Sequence, residues 1–283
     1  MSKVAKAKGS AVSTFDTQGH RGARGLLPEN TVPAMLKALE LGVATLEMDA
    51  HISQDKQVLL SHDPFINPAH ELTPSGEAIP KQDAERYVLY QMPYDQIKQF
   101  DVGSKFYAKF PQQQLQKAHK PLLAEVIDSV QQYISDHGLP QVYYNIETKS
   151  SPSGDGIYHP EPEELIDLLL AVIEEKKVSP YVIIQSFDPR TLQVLHVKYP
   201  EIKTALLVEN MNGLKKNIES LGFTPTIYSP YHKLVSPALL KEAQSQGMRV
   251  IPWTVNDLEE MKRLKKLGVD GLISDYPNLF GEL

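Results

Sequence analysis

Short β-branched or apolar runs alternate with longer segments of helical periodicity through most of the chain, the order that a parallel sheet with crossover helices imposes. Eight runs have strand character: Phe15 to Gly19, Ala44 to Ala50, Val142 to Ile146, Tyr181 to Gln185, Thr204 to Val208, Thr226 to Ser229, Arg249 to Trp253 and Gly271 to Ser274. Eight parallel strands close a TIM (β/α)8 barrel, and 283 residues suit one such domain of roughly 250 residues. The predicted fold is therefore α/β, a single barrel. Helical segments fall between the runs, as at Asn30 to Leu41, Pro162 to Lys177, Pro237 to Gln246 and Asp257 to Leu267. In the second of these, Leu165, Leu168, Leu169, Val172 and Ile173 share one face. Asn256 or Asp257 is a suitable N-cap for the last helix, and Gly268 a suitable stop.

The rhythm fails once, between Asp63 and Lys120. That stretch holds Phe65, Tyr87, Tyr90, Tyr94, Phe100, Phe106, Tyr107 and Phe110, too many aromatics for a flexible linker. It reads as a small insertion lobe after the second strand, covering the face where the loops that follow the strands build active sites. The domain reading is a barrel of residues 15–62 and 121–283, a lobe of 63–120 and an N-terminal tail of 1–14. Lys3, Lys6 and Lys8 of the tail are not followed by the apolar stretch of a secretory signal, so the chain as written is cytoplasmic, or periplasmic where a signal peptide has been removed.

Composition narrows the partners. No run approaches the ~20 apolar residues of a membrane span, so stable membrane insertion is not expected. With 35 acidic against 29 basic residues and a net charge of −6, the chain offers no basic field to a nucleic acid. Cysteine is absent, which removes disulfides, thiolate metal sites and cysteine nucleophiles together. No feature assigns an oligomeric state.

Chemistry-bearing side chains collect at strand ends. His20 and Arg21 follow the first strand, Glu47 and Asp49 occupy alternate positions of the second, and Glu147 and Lys149 repeat that spacing after the third. Alternate strand residues share a face, so three acids from two neighbouring strands converge at the barrel mouth. Hard oxygen donors of this kind suit one divalent cation, Mg²⁺ or Ca²⁺. An equally open reading makes the acids salt-bridge partners of Arg21 and Lys149. The segment Glu47 to His62 has hairpin character, and a two-residue turn at Asp55-Lys56 sets His62 opposite Asp49. Two of the nine histidines, His20 and His62, then flank the acids, able to deliver and remove protons near neutral pH. The other seven read as surface or hydrogen-bonded structural residues. Ser186 lacks the Gly-x-Ser-x-Gly elbow of a nucleophile and is read as structural or as a support to the residues that touch substrate.

Taken in order, Gly19-His20-Arg21-Gly22, Pro28-Glu29-Asn30-Thr31, Leu46-Glu47-Met48-Asp49, Ser61-His62-Asp63-Pro64, Asn145-Ile146-Glu147-Thr148-Lys149, Gln185-Ser186-Phe187, Trp253-Thr254-Val255-Asn256 and Gly268-Val269-Asp270-Gly271 resemble the glycerophosphodiester phosphodiesterases. The resemblance runs from Gly19 to Pro277. Phe100-Asp101-Val102-Gly103 and Lys120-Pro121-Leu122-Leu123 resemble the insertion that separates this family from the phosphatidylinositol-specific phospholipases C. The resemblance implies that Glu47, Asp49 and Glu147 hold the divalent cation and that His20 and His62 are the acid/base pair. It implies phosphate contacts for Arg21 and Lys149, and a substrate pocket that includes Trp253, Glu29 and Asn30. The implied reaction converts a small-molecule glycerophosphodiester to glycerol 3-phosphate and an alcohol, with the neighbouring glycerol hydroxyl attacking phosphorus through a cyclic phosphate. Two competing readings are a related phospholipase of C or D type acting on lipid, and a barrel that binds phosphodiesters without turnover. The first wants a basic interfacial helix that the insertion does not offer. The second fits poorly with a complete set of two histidines and three acids.

Overall fold

The computed structural model describes residues 15–283, so the expected tail lies outside the described residues. In chain order the elements are β1 (Asp16–Gly19), α1 (Val32–Glu40), β2 (Thr45–Ile52), β3 (Val58–Leu60), α2 (Tyr94–Ile97), α3 (Leu123–His137), β4 (Tyr143–Thr148), α4 (Pro162–Glu175), β5 (Val182–Ser186), α5 (Pro189–Lys198), β6 (Lys203–Val208), α6 (Leu214–Leu221), β7 (Ile227–Pro230), α7 (Pro237–Ser245), β8 (Arg249–Val250), α8 (Leu258–Leu267) and β9 (Gly271–Ser274). The strands run in the order β8-β7-β6-β5-β4-β2-β1-β9, all parallel, with β3 added antiparallel to β2. Backbone bonds from Asp270 N–H to the Val250 carbonyl (2.9 Å) and from Ile273 N–H to the Pro252 carbonyl (3.0 Å) join β9 to the β8 segment and close the ring. The TIM barrel expected from the alternation is the observed fold. The regular part of its eighth strand is only Arg249–Val250, but the Ile251 and Trp253 N–H groups still bond the Tyr228 and Pro230 carbonyls of β7 at 3.2 Å, so pairing extends over the expected Arg249 to Trp253.

Local chemistry sets the helix ends. Asp257 accepts from Glu260 N–H at 2.8 Å to start α8, and Gly268, at φ +100°, ends it. Thr31 caps α1 and Ser236 caps α7 in the same way. In α4 the buried face is Leu165, Ile166, Leu169, Leu170 and Ile173. Leu168 and Val172, expected on that face, are only partly buried, so the stripe is rotated slightly from the sequence reading.

The barrel interior is divided. On one side Ile183, Ala205, Ile227, Ile251 and Ile273 form a small apolar cluster. On the other, Asn145 Nδ2 donates to Gln18 Oε1 (2.8 Å) and to Gln185 Oε1 (2.9 Å), and Gln185 Nε2 donates to Glu47 Oε1 (2.8 Å). This buried amide relay carries polarity down from the mouth to the middle of the barrel, its cost offset by these hydrogen bonds, although Asn145 Oδ1 has no partner.

The β2–β3 hairpin corrects one expectation. Ala50 pairs with Leu60 and Ile52 with Val58, and Ser61 N–H donates to the Asp49 carbonyl at 3.0 Å. Asp49 therefore faces Ser61, not His62. The cause is a longer turn: Ser53 N–H bonds the Gln57 carbonyl across Gln54-Asp55-Lys56, with Lys56 left-handed at φ +62°. A three-residue loop closed by a left-handed residue displaces the register by one from a two-residue turn.

The insertion packs on its own apolar cluster, Leu59, Ile66, Ile79, Leu89, Tyr94, Ile97 and Phe100, with Tyr87 edge-on to Phe100. Its base is tied to the hairpin by buried Lys120, whose Nζ reaches Glu71 Oε1 (2.5 Å) and Ser61 Oγ (3.0 Å). Phe106, by contrast, is exposed.

Candidate active site

The loop after β1 is shaped by two glycines. A Cβ on Gly19 would come within 2.4 Å of the Gly22 carbonyl oxygen, and one on Gly22, at φ +82°, within 2.5 Å of the Ala34 backbone in α1. Only glycine fits both places, and the tight corner they permit projects His20 and Arg21 into the mouth. Arg21 (φ +49°) and Asn30 (φ +55°) are both left-handed, conformations that non-glycine residues hold only when their surroundings over-determine them. Here the surroundings are the carboxylates. Arg21 N–H donates to Glu47 Oε2 (2.8 Å), and its Nη1 donates to Glu29 Oε1 (2.8 Å). Its Nε lies 3.1 Å from Asp49 Oδ2, close enough for charge attraction but not aligned for a hydrogen bond. Asn30 grips Asp49 at both ends, donating Nδ2 to Oδ2 (2.8 Å) and accepting the Asp49 N–H (3.1 Å).

Glu47, Asp49 and Glu147 are all buried, and ligand oxygens of the three lie within 4.8 Å of one another. Their charges are unevenly compensated. Arg21 and then Lys149 outweigh burial at Asp49 and hold its carboxyl well below the usual carboxylate range. Both Glu47 oxygens are held by neutral donors, and burial followed by the charge of Asp49 pushes its carboxyl well up. Glu147 is pushed up by burial, although Lys149 Nζ stands 2.8 Å from its Oε1. Asp49 Oδ1 is buried without a hydrogen-bond partner, its nearest recorded cation being Lys149 Nζ at 3.8 Å. The two readings of the acids are thus both partly realised. Asp49 and Glu147 do pair with Arg21 and Lys149, yet an orphaned oxygen and an uncompensated carboxyl leave the group short of positive charge. An all-oxygen donor set with that deficit fits a hard divalent cation.

His20 and His62 line one cavity of about 430 Å³ above these acids, together with Arg21, Glu29, Glu47, Glu147, Lys149 and Trp253. His20 Nδ1 lies 2.6 Å from Asp275 Oδ1, and its Nε2 is 3.9 Å from Glu47 Oε2. Burial pushes the His20 imidazole down to about 4, helped by Arg24 and opposed by Asp275. His20 and Arg24 overcome burial at Asp275 and keep it ionised. A carboxylate can only accept, so the proton of neutral His20 is on Nδ1 and Nε2 presents a lone pair. His62 is more exposed and has a parallel arrangement, Nδ1 3.1 Å from Asp63 Oδ1, with Asp63 in turn held by Asn67 Nδ2 at 2.6 Å.

Trp253 donates its indole N–H to the Ser229 carbonyl (2.8 Å) and meets Phe187 edge-to-face at 5.3 Å, both rings lining the cavity. Glu29 faces the cavity but is held by Arg21 and Arg24, while Asn30 is not among the cavity's lining residues. Ser186 is fully buried and bonds the Thr148 carbonyl and the Asp188 N–H, as a structural serine would. Asn67, His70, Tyr107 and Lys109 of the insertion complete the rim. Sequence reasoning missed Asp275 and Arg24. Their only signal was position: Asp275 directly follows the last strand, and strand-end acids were the criterion that found Glu47 and Asp49.

The sequence profile of the Glycerophosphoryl diester phosphodiesterase family matches the chain over residues 20–279. The chain belongs to this family. The enzyme is 30% identical over 260 residues to the glycerophosphodiester phosphodiesterase of Caldanaerobacter subterraneus subsp. tengcongensis, which covers 91% of this chain and 93% of that one. Its fold is similar to a crystal structure of a Silicibacter pomeroyi DSS-3 protein assigned as a glycerophosphoryl diester phosphodiesterase, with a TM-score of 0.82 and 27% identity over 95% of this chain and 94% of that one. An Oleispira antarctica phosphodiesterase, in complex with its product sn-glycerol-3-phosphate, shares the fold at a TM-score of 0.73 and 22% identity, over 94% of this chain and 95% of that one. No helix among the described residues is long and apolar enough to cross a membrane.

Proposed function

We propose that the enzyme hydrolyses small-molecule glycerophosphodiesters to glycerol 3-phosphate and an alcohol, by attack of the neighbouring glycerol hydroxyl and through a cyclic phosphate. The observation that carries this reading is one cavity lined by both His20 and His62 beside the buried cluster of Glu47, Asp49 and Glu147, in which Glu47 is held by neutral donors alone and Asp49 Oδ1 has no hydrogen-bond partner. Glu47, Asp49 and Glu147 would hold one divalent cation, Mg²⁺ or Ca²⁺. Bound there, the cation would supply Lewis acidity toward the phosphate and the glycerol hydroxyl.

His20 is the first base. Its Nε2 lone pair takes the hydroxyl proton as the oxygen forms its bond to phosphorus. His62 gives its proton to the departing alcohol oxygen as the second phosphorus–oxygen bond breaks. Water then opens the cyclic ester with the roles reversed, His62 accepting and His20 donating, so both imidazoles return to their starting states. Arg21 and Lys149 bind phosphate oxygens, Arg21 as a planar fork and Lys149 as a point charge. Glu29 and Asn30 act through Arg21 and Asp49, and Trp253 with Phe187 walls the glycerol. Neighbouring-group attack draws on a large intramolecular advantage, with effective molarities of about 10⁵–10⁸ M in well-oriented cases.

A coupled assay for glycerol 3-phosphate, run with added Mg²⁺ or Ca²⁺ and with chelator, tests the activity. A substrate analogue lacking the neighbouring hydroxyl tests the route. It should bind yet release almost no alcohol, and turnover comparable to the parent diester would eliminate neighbouring-group attack in favour of direct attack by water.

A further inference from the structure

A second cavity, of about 210 Å³, adjoins the first and shares His62, Glu147, Lys149 and Phe187 with it. We infer that this cavity receives the departing alcohol and selects a neutral polyhydroxy alcohol, such as glycerol or a cyclitol, over a quaternary ammonium one. The inference rests on the proposed reading in one respect, that His62 protonates the leaving oxygen.

Size and position come first. At about 210 Å³ the cavity is smaller than the roughly 300 Å³ at which drug-sized sites begin, so it suits a small headgroup and not an acyl chain. His62 stands at the junction of the two cavities, so an alcohol oxygen leaving toward the smaller one passes its proton donor.

The chemistry of the wall comes next. His51 follows Glu47 and Asp49 on the same face of β2 and lines the cavity while buried from solvent. Its Nε2 lies 3.3 Å from the His62 carbonyl, and a carbonyl can only accept, so Nε2 carries the ring proton. Nδ1 is then a lone-pair acceptor, and it is buried without a partner. An orphaned acceptor in an otherwise well-bonded wall calls for an O–H donor, which a polyol supplies and a trimethylammonium group does not.

Charge points the same way. The carboxylate that lines the cavity, Glu147, is already paired with Lys149 at 2.8 Å, and the acids behind its wall, Asp188 against Ser150 and Asp155 beside His159, are paired with Arg190 at 2.7 and 2.6 Å. Lys149 itself lines the cavity, so a cationic headgroup would meet an ammonium with no free acid to offset it. His159 is fixed in the wall, its Nε2 accepting the Ser151 N–H at 3.0 Å and its Nδ1 donating to the Pro160 carbonyl at 2.8 Å, and Ser151 and Tyr158, both hydroxyl residues, line the cavity beside it.

The test is kcat/KM of the metal-supplemented enzyme for glycerophosphoglycerol, glycerophosphoinositol, glycerophosphocholine and glycerophosphoethanolamine. The polyol diesters should lead glycerophosphocholine by about tenfold or more, the scale expected when the wrong substrate leaves one buried acceptor unpaired. His51→Leu should bring that ratio near one by raising KM for the polyol diesters alone, and His51→Gln, which keeps a donor and an acceptor, should restore much of it. Inhibition of the unmodified enzyme by free glycerol or inositol, stronger than by choline, gives the same answer without a variant. Equal or higher efficiency on glycerophosphocholine, or stronger inhibition by choline, overturns the selectivity and assigns Phe187 and Tyr158 to a cation instead. Hydrolysis of none of the four overturns the phosphodiesterase reading itself, and the inference with it.

Discussion

His20 Nδ1 and Asp275 Oδ1 lie 2.6 Å apart although the two residues are separated by 255 positions in the chain. His20 follows β1 and Asp275 follows β9, and these strands are hydrogen-bonded neighbours, Gly19 beside Ser274. The contact that sets the tautomer of one imidazole therefore exists only once the last strand has closed the barrel. Asp275 also accepts from Arg24 Nε (2.8 Å) and Asn256 Nδ2 (2.7 Å), which fix the carboxylate in turn.

Asp275→Asn should lower kcat by about two to four powers of ten with little change in KM. An amide can donate to Nδ1, which moves the ring proton to Nε2 and removes the lone pair facing the substrate. Asp275→Glu should recover part of the loss, and the pH dependence of kcat should change shape in the amide variant. A kcat equal to the parent's in Asp275→Asn rejects the positioning role.

Removal of the cation should abolish turnover, and adding it back should raise thermal stability, by about 2.7 kcal/mol at a hundredfold excess over Kd. Glu47→Gln should lose both the activity and the metal-dependent shift in Tm. In chelator its stability should equal or exceed that of the parent. The sign follows from the raised Glu47 carboxyl: a folded state that prefers the protonated form loses stability as pH rises above the ordinary carboxylate value, and the amide escapes that loss. Differential scanning calorimetry with and without metal reads the stability outcomes, and the glycerol 3-phosphate assay reads turnover.

His20→Ala and His62→Ala should each cost several powers of ten in turnover, while the double variant costs far less than the product of the two. Groups that act as one unit are not additive. Near-parental turnover in either single variant would falsify its place in proton transfer.

Glu29 gives a pH prediction for stability. Burial would raise its carboxyl, but Arg21 and Arg24 overcome this and bring it down to about 2. A depressed carboxylate contributes stability that is complete above its unfolded value of 4.5 and is lost as pH falls toward 2. Urea unfolding of the parent should therefore lose stability across that interval, and Glu29→Gln should show a smaller loss there and about 3 kcal/mol less stability at pH 7. Parallel pH curves for the two proteins would remove Glu29 from the acid transition.

Much of the architecture was legible in the chain. The eight-strand alternation, the insertion after the second strand and the spacing of Glu47, Asp49, Glu147 and Lys149 are local patterns, because strand periodicity alone puts alternate residues on one face. The glycines at positions 19 and 22 were legible only as a motif, and their reason is steric: a Cβ on Gly19 would meet the Gly22 carbonyl across the loop, and one on Gly22 the backbone of α1. The register of the β2–β3 hairpin was misjudged by one residue, since the left-handed state of Lys56 that lengthens the turn has no strong mark in the sequence.

What the sequence determined by itself was the list of side chains delivered to the barrel mouth, because each rides on the end of its own strand. What only the tertiary structure decided was how those side chains are shared out. Arg21 goes to Glu29 and Asp49, Lys149 to Glu147, and Asp275 to His20. Ring closure brings the first and last strands together, and burial then removes water as an alternative partner, so charge and protons settle by through-space distances that no spacing along the chain encodes.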